Sequence, residues 1–224
     1  MGFMTKVTQN AEAKVILSEG KELATDFLKI VVAAYLAPTS VLPGEATKFF
    51  EKHIKVFKSL PDRIFFQKLD WFFDDLEHLR LTDADKEAMK KRIRQINKEE
   101  FSFQLMDTIH KAYGKKQIHF TANSLKYALT HEEENRWLEE FYRVIFVILN
   151  TDVYSLEFLV EQLNLTDTMS RQQYSYNEKV QGLLSSGLMA ADVFESSLTA
   201  GPGEQKYLFT PMADTVYKYI KDRA

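Results

Sequence analysis

The sequence predicts a mainly α-helical fold, a multi-helix bundle followed by a C-terminal winged helix with a small β-hairpin wing. Three observations carry that reading. Apolar residues recur at helical spacing through most of the first 149 residues, as in Ile64, Phe65, Leu69, Phe72, Phe73 and Leu76. From Ser155 a helical pattern gives way to a polar break and then to a second helix ending at Leu183-Leu184-Ser185-Ser186-Gly187. Strand-like runs around Met189 to Phe194 and Lys206 to Phe209 then flank Thr199-Ala200-Gly201-Pro202-Gly203, and Thr210-Pro211 opens a last helix through Val216, Tyr217 and Ile220. The expected division is a helical domain over 1–149 and a winged-helix-like domain over 150–224.

In chain order, Ala11 to Leu36 holds one or two helices, with Val15, Ile16, Leu17, Leu23, Phe27, Leu28, Ile30 and Val31 as their apolar positions. Pro38 and Pro43-Gly44 punctuate the segment, and Thr47 to Leu60 forms the next amphipathic helix. Pro61 suits a first turn, where its missing N–H costs nothing, and Asp62 meets the positive end of the helix that follows. Thr82 with Asp85 three residues on forms a capping box with Asp in place of Glu, opening a helix with Ala88, Met89, Ile93 and Ile96 inward. Glu99 to Tyr113 is a further helix, with Gly114 as its stop. Two more follow, the first with Leu125, Tyr127, Ala128 and Leu129, the second with Trp137, Leu138, Phe141, Ile145, Phe146 and Ile148. The total is about seven helices through Leu149.

With 224 residues, 45% of them hydrophobic and 17 of them Phe, the chain has ample material for a core. It has no cysteine, which excludes a disulfide, a thiol nucleophile and a thiolate metal site and fits a reducing cytoplasm. Met1 to Lys6 lacks the pattern of a signal peptide, and Lys6 breaks the myristoylation motif. The apolar stretch from Phe27 to Pro43 contains Lys29 and two prolines, short of the ~20 apolar residues that span a bilayer. A cytoplasmic protein without membrane insertion is expected.

Net charge is −3, distributed unevenly. Residues 151–224 hold ten acidic and six basic side chains, a net of −4, leaving 23 basic against 22 acidic before them. The winged module is therefore acidic, the wrong sign for a domain that draws affinity from phosphates.

Few constellations carry chemistry. His53, His78, His110, His119 and His131 share no metal-ligand spacing. Asp70 and Asp74 share a helix face, as a Mg²⁺ or acid–base pair would, but Lys68, His78 and Arg80 lie nearby and a solvated face explains them better. Ser185 and Ser186 lie in no nucleophile elbow, and Gly201-Pro202-Gly203 lacks the Lys-Ser/Thr of a phosphate loop. No catalytic residue, metal, cofactor or small-molecule ligand is indicated. Two surfaces remain. The helix from about Ser170 to Ser186 offers Arg171, Gln172, Gln173, Asn177 and Lys179, with Lys206 on the wing, as groups able to read base edges or phosphates. The helix after Thr82 is crowded with Lys86, Lys90, Lys91, Arg92 and Arg94, with Lys98 beyond; these form either an ordinary solvated face or a docking face for an acidic partner.

Pro61-Asp62-Arg63-Ile64-Phe65-Phe66-Gln67-Lys68-Leu69, together with Phe103-Gln104-Leu105-Met106-Asp107-Thr108-Ile109, resembles a loose group of uncharacterised all-helical bacterial proteins associated with prophages or mobile elements. The match runs from about Val56 to Leu163. It implies a helical, cytoplasmic protein with a role in regulation or phage–host conflict, and it brings no catalytic residues with it. Together these readings favour a non-enzymatic regulatory or adaptor protein, bound to another protein or to a second copy of itself. The alternative is a winged-helix DNA-binding regulator.

Overall fold

The computed structural model describes residues 22–33, 42–53, 60–78, 81–131, 136–165, 174–192 and 206–221. They form a mainly helical protein with a two-stranded antiparallel sheet near the C-terminus. The helices are α1 (22–33), α2 (Leu42–His53), α3 (Leu60–His78), α4 (Asp83–Gln95), α5 (Lys98–Lys111), α6 (Lys115–Thr130), α7 (Trp137–Asn150), α8 (Val153–Leu165), α9 (Glu178–Ser185) and α10 (Pro211–Ile220). The strands are β1 (Met189–Ala191) and β2 (Tyr207–Phe209). Seven of the described helices lie before Thr151, as the periodicity predicts.

The chain divides into two compact units, Met1–His110 and Lys111–Ala224. The division expected at 149/150 falls inside the second unit, in the last turn of α7. The reason lies in α10, whose buried Ala213, Val216, Tyr219 and Ile220 pack on α6, α7 and α8. Asn123 of α6 donates its amide to the Ile220 carbonyl (3.3 Å), and Tyr127 meets Tyr219 at 4.4 Å between ring centroids.

The first unit is built on aromatic packing. Phe27 of α1 lies 6.1 Å from Phe72 and 5.8 Å from Phe73 of α3, and Phe49 of α2 meets Phe73 edge-on at 5.8 Å. Such offset and edge contacts suit the ring quadrupole and add to the gain from burying the rings themselves. Asp26 of α1 fastens the rim. Its carboxylate accepts from Lys52 Nζ (2.6 Å) and Lys29 Nζ (2.9 Å) and stands 3.2 Å from His53 Nε2. Desolvation pushes the Asp26 pKa up, but the hydrogen bonds from Lys52, Lys29 and His53 outweigh it and hold the carboxyl far below its usual range.

The capping box of α4 is present: Asp85 N–H donates to Thr82 Oγ1 (3.2 Å), and Thr82 N–H donates to Asp85 Oδ2 (2.9 Å). Three expectations shift. Helix α2 begins at Leu42 rather than Thr47, since Pro43 and Gly44 occupy its first turn, where a proline lacks no needed donor. Helix α5 ends at Lys111, and Gly114 is the N-cap of α6 in extended conformation rather than a C-terminal stop. There the Tyr113 N–H turns to the Gln117 side chain (2.7 Å). Helix α9 starts at Glu178 rather than about Ser170, because Tyr174 is drawn into a two-way backbone bridge with Tyr207, both bonds 3.1 Å.

Candidate functional site

The segment from α8 to α10 is held by a small set of polar contacts. Asp152 caps α8, its Oδ1 accepting from Ser155 N–H (2.8 Å) and its Oδ2 from Ser155 Oγ (2.6 Å). The same hydroxyl lies 2.9 Å from the Lys179 carbonyl in α9, which ties the two helices together. Gly182, one turn beyond Lys179, faces this pair. A Cβ there would stand 2.1 Å from Asp152 Oδ2 and 2.2 Å from Ser155 Oγ, so a hydrogen atom is all the crossing admits. That contact fixes the rotation of α9. Val180 and Leu183 point into the core, and Glu178, Lys179, Gln181 and Ser185 point to solvent.

Past α9 the chain reverses through Gly187, whose φ of 74° lies where a side chain is strained. Gly187 N–H reaches the Leu184 carbonyl (3.1 Å) and Leu188 N–H the Leu183 carbonyl (2.8 Å), the paired bonds that close a helix C-terminus. The chain enters β1, which pairs antiparallel with β2 in the register Met189 to Phe209, Ala190 to Leu208 and Ala191 to Tyr207. Tyr174 packs beside β2 between Phe158 (5.8 Å) and Phe209 (5.0 Å), both edge-on, and burial raises the pKa of its hydroxyl.

Of the groups expected to read nucleic acid, Asn177, Lys179 and Lys206 lie among the described residues. Arg171, Gln172 and Gln173 lie outside those residues, as does the turn at Thr199 to Gly203. Asn177 is the N-cap of α9, its side-chain oxygen accepting from Val180 N–H at 2.9 Å. The Lys179 ammonium stands 5.5 Å from the Phe158 ring centroid. Lys206 contributes its carbonyl to Asp192 N–H (2.8 Å) at the edge of the sheet.

On α4, Lys91 and Arg94 are exposed, as is Lys98 at the start of α5; Lys86 and Lys90 are half-buried and pair with Asp83 (3.5 Å) and Glu87 (2.5 Å). Arg92 departs from the expected basic face. It is 6% exposed and shares the inward side of the helix with Ala88, Met89 and Ile93. Asp70 and Asp74 are exposed on α3, and the Asp74 carbonyl lies 2.7 Å from His78 Nδ1. Among the described residues no three His, Asp or Glu side chains converge to hold a metal ion.

A different surface emerges at one end of the second unit. Gln117, buried in the first turn of α6, donates its amide to the carbonyls of Ile148 (3.1 Å) and Thr151 (3.3 Å) while its oxygen holds Tyr113 N–H. Lys116 pairs with Glu157 of α8 at 2.8 Å. These bonds bring the start of α6, the end of α7 and the start of α8 together. Near these contacts in the chain, Tyr113, Phe146 and Tyr154 are 88%, 68% and 73% exposed. Phe146 is one of the apolar residues that the sequence groups in α7, yet it faces outward. A helical projection of α7 carries the signal, since Phe146 falls opposite Phe141, Val144, Ile145 and Ile148. No signal of this kind exists for Gln117, whose role depends on contacts 31 and 34 residues away.

No protein-family model, curated protein or solved structure matches this chain. Among the described residues no helix is long and apolar enough to cross a membrane.

Proposed function

We propose that this chain is a non-enzymatic regulatory or adaptor protein that works by protein–protein contact, with the second unit as a docking module. The observation that carries the reading is the exposure of Tyr113, Phe146 and Tyr154 at the end of the unit organised by Gln117. Large aromatic rings left in water forgo the gain of burial, and aromatic side chains are enriched where two proteins meet. The resemblance around Pro61 to Leu69 adds a setting in the cytoplasm, in prophage or mobile-element biology.

The second reading is a winged-helix DNA-binding regulator. The order α8, α9, β1, β2, α10 favours it, with α9 presenting Lys179 and Gln181 outward. Charge weighs against it: residues 151–224 carry a net of −4 and the exposed Glu178 opens α9, whereas phosphate neutralisation supplies most of the affinity of DNA binders. One experiment separates the two. Labelled duplex DNA is titrated with purified protein from about 50 mM to about 1 M salt while mass is followed by light scattering on the same sample. The docking reading expects no salt-sensitive DNA complex, together with self-association that survives high salt and is lost in Phe146→Glu. DNA binding that falls steeply with salt and weakens in Lys179→Glu would establish the regulator instead.

A further inference from the structure

We draw no further inference here: the strongest candidate, the apolar groove between α1 and the α4–α5 corner of the first unit, lined by Leu28, Val32, Ala33 and Ile93, carries none because nothing in the structure shows what covers it.

Discussion

At Gly182 the absence of a side chain lets α9 lie against the capped start of α8. Alanine there drives a methyl group into two oxygens that cannot easily withdraw, since Asp152 caps α8 and Ser155 joins that cap to the Lys179 carbonyl. Gly182→Ala is expected to destabilise the second unit by about 1–3 kcal/mol despite the better helix propensity of alanine, read as a lower denaturant midpoint. Asp26 governs the other unit in a pH-dependent way. Its folded pKa lies below the unfolded value of about 4, so the stability it contributes is complete above that pH and drains away as the pH falls below it. Asp26→Asn should lower the melting temperature at neutral pH and flatten the acid limb of stability against pH. A variant as acid-sensitive as the parent would remove Asp26 from that role.

At the scale of single elements, some boundaries were legible from local signals. Thr82 with Asp85 announces the start of α4 through its capping box, and Pro211, in the first turn, the start of α10. Thr82→Ala should cost about 1 kcal/mol and speed amide exchange in the first turn of α4. The start of α9 was hidden because polar Ser170 to Asn177 carries no periodicity strong enough to tell helix from extended chain, and a backbone bridge from Tyr174 to a strand 33 residues away decides it. Candidate site residues followed the same division. The exposed cations of α4 and α5 were readable from sequence, apart from Arg92. The groove beside them was not, since its other wall comes from α1.

For the whole molecule, the position of the boundary between units has a direct consequence. Asn123 and Tyr127 of α6 hold the end of α10, and Gln117 holds the turn between α7 and α8. A fragment of residues 111–224 should therefore unfold cooperatively, whereas 150–224 should show weak helical dichroism and a broad melt, because the buried face of α10 has lost its partners. Equal cooperativity of the two fragments would place the boundary at 149/150 after all.

By itself the sequence determined the helical class, most of the helices, the β1–β2 hairpin, the capping of α4 and the acidic balance of the C-terminal segment. These follow from periodicity, caps and charge, all of which act over a few residues. The tertiary structure alone decided that α6 and α7 belong with the C-terminal elements, that Gln117 closes the turn between α7 and α8, and that α1 and α4 enclose a groove. Each of these depends on which helix faces which, and packing between residues far apart in the chain leaves no local trace in composition or spacing.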